Sequence, residues 1–111
     1  MRAVILAGTV AGMLGSASAM ADEPEGEAFA GQVFARNFCA ECHYVEKDWV
    51  DLSQSYAPPF ADIADNRQWT DIALRVWLRS PHVEMPNFIL KQTEIDNVVA
   101  YIGYLRQQQR K

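Results

Sequence analysis

The chain has 111 residues, 10 Lys and Arg against 14 Asp and Glu for a net charge of −4, and only two cysteines. That length allows one small domain. The acidic balance excludes a nucleic-acid binder, which needs clustered Lys and Arg, and argues against docking on anionic lipid; it suits a partner with a positive patch.

In chain order, the first segment differs from the rest. Arg2 gives a positive start, Ala3 to Leu14 are almost wholly apolar and small, and Ala17-Ser18-Ala19-Met20-Ala21 precede an acidic stretch at Asp22. This is the pattern of a secretory signal peptide over residues 1–21, cleaved after Ala19 or Ala21. The apolar run falls short of the roughly 20 residues that span a bilayer, so no stable membrane insertion is expected. Removing residues 1–21 leaves 90 residues, 22–111, and a net charge of −5 because Arg2 goes with them. A domain this small buries a modest core and often needs a disulfide, metal or cofactor as a staple.

Apolar Ala30, Val33, Phe34 and Phe38 recur at helical spacing, so a first helix is expected from Glu27 to about Cys39. Residues 44–61 have no sustained period but carry Tyr44, Trp49, Tyr56, Pro58, Pro59 and Phe60. A structureless loop that long is unusual in a compact domain unless it wraps something. Thr70 can cap a second helix with a face of Ala73, Leu74, Trp77 and Leu78, ending at Ser80-Pro81. Residues 81–92 read as another loop. Thr93 and Asp96 fit a capping box ahead of a last helix with Ile95, Val98, Val99, Ile102 and Leu105 on one stripe. No strand pattern, internal repeat or low-complexity segment occurs, so the fold class is all-α.

Cys39-Ala40-Glu41-Cys42-His43 is C-x-x-C-H, the attachment pattern for c-type haem. Two thiols three positions apart at a helix end can form thioethers with the two vinyl groups of one haem, and the adjacent neutral imidazole can ligate its iron. Other readings are weaker. A dithiol redox pair belongs on a βαβ scaffold, a zinc site needs four ligands where only His82 could join, and a plain disulfide leaves His43 unexplained.

For the sixth ligand, Met85 is the only methionine beyond the signal segment, because Met1, Met13 and Met20 fall within it. It sits off any helical stripe in Pro81-His82-Val83-Glu84-Met85-Pro86, where proline on either side stiffens the backbone. His82, the other histidine, is the rival and would give a lower potential. Loop context and ligand type favour Met85.

On these residues the chain resembles the class I cytochromes c, in particular the small soluble bacterial mono-haem type, from Gly31 to about Leu105. The resemblance implies an all-α cytochrome c fold: three or more short helices and long loops wrapped around one covalently bound haem c with its iron. It implies that Gly31 lies where the terminal helices cross closely, and it matches Ala100-Tyr101-Ile102 to the C-terminal helix. Tyr56-Ala57-Pro58-Pro59-Phe60 is similar to the loop whose proline carbonyl accepts the proximal histidine N–H. That match makes Pro58 the residue orienting His43 and sets Phe60 on the haem face, a contact of the kind that tunes the iron. Trp77-Leu78 is similar to the helix lining the methionine side. Two departures stand out: Ala35 occupies a position that is often aromatic, and Ala57 one that is often glycine.

Trp69 can donate its indole N–H to a haem propionate, since a buried indole needs a partner, and Arg67 or Arg75 can offset propionate charge. With both axial positions filled, outer-sphere electron transfer is expected rather than enzymatic chemistry. The resemblance implies a soluble, monomeric periplasmic carrier that docks weakly on redox proteins, with a dehydrogenase or cytochrome complex as donor and an oxidase or reductase as acceptor. Two alternatives remain: a haem subunit of a periplasmic dehydrogenase complex, and a ligand-binding or peroxidatic haem protein with a labile Met85.

Overall fold

Residues 24–46, 57–86 and 88–111 are described by a computed structural model. The expected signal peptide and the loop residues Trp49 and Tyr56 lie outside them. The chain forms α1 (Gly26–Phe34), α2 (Phe60–Asp65), α3 (Asp71–Arg79) and α4 (Gln92–Gln109). The fold is all-α, with no strand among the described residues. No helix among them is long and apolar enough to cross a membrane.

The first helix reaches Cys39 as expected, but its last turn, Ala35–Cys39, is π-helical. The Ala40 N–H reaches back five residues to the Ala35 carbonyl at 2.9 Å. Such widened turns concentrate at functional sites because they re-aim the side chains that follow. The buried face also differs from the apolar spacing. Gly31, Gln32 and Ala35 are buried, whereas Val33 and Phe38 are exposed. The cause is the crossing with α4. Small residues let the two backbones approach, while Phe34 and Phe38 pair ring to ring at 4.6 Å along the crevice.

Along α4 the expected stripe is the core: Ile95, Val98, Val99, Ile102 and Leu105 are all buried, with Tyr101 among them. The Tyr101 hydroxyl donates to the Val45 carbonyl at 2.7 Å, tying the segment after the C-x-x-C-H motif to this helix. The helix starts earlier than the Thr93–Asp96 pattern suggests. Its N-cap is Lys91, whose N–H donates to the Glu94 carboxylate at 2.7 Å. Asp96 is drawn away from a capping role by Arg75 of α3 and by Gln92 Nε2 at 2.8 Å. The Arg75 contact, then the Gln92 bond, holds the Asp96 carboxyl below its usual range.

In α3 the Thr70 hydroxyl caps as expected, accepting from the Ala73 N–H at 3.1 Å. Ser80 closes the helix at its C-cap. Helix α2 has no counterpart in the sequence reading, which continued the loop through residue 61. Pro59 sits at its N-cap and the Phe60 N–H donates to the Tyr44 carbonyl at 2.8 Å, so the helix starts where tertiary contact fixes its first turn.

Candidate cofactor crevice

The π-helical turn ends on Cys39, and the Cys42 and His43 N–H groups both fold back onto the Cys39 carbonyl, at 3.1 and 2.9 Å. This compact turn presents Cys39, Cys42 and His43 to one crevice. The two cysteines are not joined as a disulfide. Burial pushes the Cys39 thiol up to about 11. A thiol so raised is mostly protonated near neutral pH, unlike the low-pKa cysteines of redox pairs.

His43 Nδ1 lies 2.6 Å from the Pro58 carbonyl oxygen. A carbonyl can only accept, so Nδ1 is the donor in this contact, and Nε2 is the nitrogen left to face a ligand. The Phe60 ring meets the imidazole edge-on, with centroids 5.3 Å apart at 64°. Phe60 is itself buried, and its ring also packs near Tyr101 at 6.4 Å. The imidazole is therefore fixed both by a hydrogen bond and by a ring anchored in the core.

The crevice has an inner and an outer lobe that share Cys42, His43, Trp77 and Met85. Cys39, Phe60 and Leu78 line the inner lobe; Pro58 and Trp69 line the outer one, which has a volume of about 810 Å³. That is within the range of cofactor sites, roughly 300–1,000 Å³. Cys39, Cys42, His43, Pro58, Phe60, Trp69, Trp77, Leu78 and Met85 thus all border one crevice. Trp69 and Trp77 meet edge to face at 5.1 Å.

The histidine and methionine of residues 81–86 are placed differently. Met85 borders both lobes. His82 borders the outer lobe, but its Nε2 is 2.7 Å from the Trp77 carbonyl oxygen and its ring stacks on the Trp77 indole. Nε2 is therefore a donor already in use. The two arginines suggested for the propionates do not border the crevice. Arg75 is held by Asp96, and Arg67 borders a separate hollow with Arg106 and Arg110. Among the described residues, the acidic and basic side chains lining the crevice are Glu41 and Glu84, both negative.

The residues present fit a covalent haem. Paired thiols stand beside an imidazole whose Nδ1 is hydrogen-bonded to backbone, a thioether shares the same cavity, and apolar side chains make most of the wall. Sequence reasoning missed Ile63 and Phe88 as wall residues. Ile63 follows Phe60 by one helical turn, a spacing that could have marked α2 and its crevice face.

The family model described as Cytochrome c matches residues 28–106. The chain is also 34% identical over 94 residues to the protein named Cytochrome c-552 from Bradyrhizobium diazoefficiens, covering 85% of this chain and 89% of that one. No solved structure gives a significant match.

Proposed function

Because the chain belongs to the cytochrome c family, we propose that it is a periplasmic single-electron carrier whose haem iron is held between His43 and Met85. The haem c is covalently bound through Cys39 and Cys42, as the family's motif requires, and supplies a one-electron iron couple. The observation that carries the reading is the Nδ1 contact between His43 and the Pro58 carbonyl at 2.6 Å. With Nδ1–H donating to that carbonyl, Nε2 would be the ligating atom, and the edge-on Phe60 ring supports the same ring orientation.

Met85 would be the second residue to hold the iron, a reading supported by its place with His43 on both lobes of the crevice. His82 is the weaker candidate, with its Nε2 committed to a backbone carbonyl. Thioether ligation in an apolar crevice favours the reduced state and a raised potential. Phe34, Phe60, Leu74 and Ile102 line the inner lobe with apolar side chains, which would give a bound haem a low-dielectric setting. In this reading residues 1–21 are a signal peptide that directs export. The mature domain then acts as a monomer that docks briefly on redox proteins and passes one electron, without transforming a substrate.

The test is the visible spectrum of the holoprotein made with periplasmic haem maturation, oxidised and reduced, beside Met85→Ala. A covalent low-spin haem with a weak far-red sulfur-to-iron band, lost in Met85→Ala, is the expected result. An unchanged spectrum in the variant would remove Met85 from the iron.

A further inference from the structure

We infer that His82 is a positioning residue for Met85, latching the loop that carries the thioether onto Trp77. The inference rests on the Met85 ligation proposed above. His82 makes two contacts with one residue. Its Nε2–H donates to the Trp77 carbonyl at 2.7 Å, and its ring lies over the indole with centroids 3.5 Å apart at 13°. A hydrogen bond alone would hold one end of the imidazole and leave the loop free to pivot. Adding the stacked face fixes the plane as well.

The latch sits where the loop otherwise has little to hold it. Leu78 and Leu90 pack against the core on either side. Between His82 and Met85, Val83 is fully exposed and Glu84 is exposed. Neither packs on the core, so the nearest upstream contact that ties this segment to a helix is His82.

The surface that receives His82 is itself braced. The Trp77 carbonyl also accepts the Ser80 N–H at 3.1 Å, and the Ser80 hydroxyl donates to the Val76 carbonyl at 2.7 Å. Trp77 also meets Trp69 edge to face at 5.1 Å. The Trp69 carbonyl accepts Arg106 Nη2 at 2.7 Å, while Arg106 Nε donates to the Ala64 carbonyl at 3.0 Å. A chain of contacts therefore runs from α4 through Arg106, Trp69 and Trp77 to His82, three residues short of the thioether.

A latch of this kind controls how often Met85 leaves the iron, not whether it can bind. Imidazole binding to the oxidised holoprotein, followed by stopped flow, reads that opening directly. His82→Ala removes both contacts and should accelerate binding about tenfold, as loss of one hydrogen bond and one ring contact implies, while the far-red band persists before imidazole is added. His82→Phe keeps a ring and His82→Gln keeps a donor; both should fall between wild type and His82→Ala. Binding by His82→Ala within about twofold of wild type would overturn the latch, using the same contact magnitudes. So would a resting spectrum in His82→Ala showing that an imidazole had left the iron. Met85→Ala, run alongside, separates the two failures: if it keeps the far-red band, the ligation reading fails and the latch with it.

Discussion

A β-carbon placed on Gly31 would lie 1.9 Å from the backbone oxygen of Asn97 and 2.9 Å from the Tyr101 β-carbon. The atoms it would meet include backbone, so no side-chain rotation can make room. The crossing of α1 and α4 therefore depends on hydrogen at this position. It matters beyond the crossing because α1 leads through the π-helical turn to Cys39, while α4 supplies Val98 and Ile102 to the crevice.

Gly31→Ala should force the two helices apart. Overpacking of this kind costs about 3 kcal/mol, which for a domain of this size corresponds to a fall of about 10 °C or more in melting temperature. Thermal unfolding of the haem-loaded protein checks it, and a melting temperature within about 2 °C of wild type would show that the helices tolerate the methyl group.

Tyr101 couples stability to alkaline pH. Burial pushes its phenol up to about 12 from the ordinary value of 10, and its hydroxyl donates to the Val45 carbonyl. The folded chain thus holds the Tyr101 proton more tightly than the unfolded chain. The resulting stabilisation is complete below about pH 10 and is lost as the pH rises toward about 12. Denaturant titrations across that window should show a loss of stability that is shallower in Tyr101→Phe. At neutral pH the same variant should be less stable by about 1 kcal/mol, the worth of one hydrogen bond. Parallel pH profiles for the two proteins would contradict the assignment.

The two glutamates on the crevice, Glu41 and Glu84, should set the sign of charge steering. Electron transfer to a small cationic oxidant, such as a cobalt tris-phenanthroline complex, should slow when ionic strength rises roughly five- to sixfold through the range where screening lengths fall near 10 Å. Transfer to anionic ferricyanide should respond in the opposite sense. Glu41→Gln combined with Glu84→Gln should narrow the gap between the two oxidants about threefold at low salt, in line with the effect of rim charges on association. Identical salt dependence for both oxidants would mean that these carboxylates do not steer the encounter.

Much of this protein was legible before its structure. Cys39, Cys42 and His43 form the C-x-x-C-H motif through spacing alone, since adjacency along the backbone brings them to one crevice in any fold that keeps the turn. The α4 stripe and the Thr70 cap are local as well, because helical periodicity and a side chain reaching three residues forward need no distant partner. Where local pattern misled, a distant group had intervened. Asp96 carried a capping pattern with Thr93, yet Arg75, 21 positions earlier in the chain, holds its carboxylate. Phe38 carried a core-facing spacing, yet it lines the crevice beside Cys39 and His43 rather than the α1–α4 crossing.

The sequence by itself thus determined the cofactor-attachment motif, the all-α class and the candidates for the crevice. Tertiary structure alone decided how those candidates are used: His82 on Trp77 rather than free beside the crevice, Arg106 across the carbonyls of Ala64 and Trp69, Gly31 against Asn97. The physical reason is range. Periodicity and motif spacing report forces between near neighbours in the chain, whereas the imidazole's partner, the bracing of the tryptophans and the contact of two backbones arise only when segments tens of residues apart are packed into one small core.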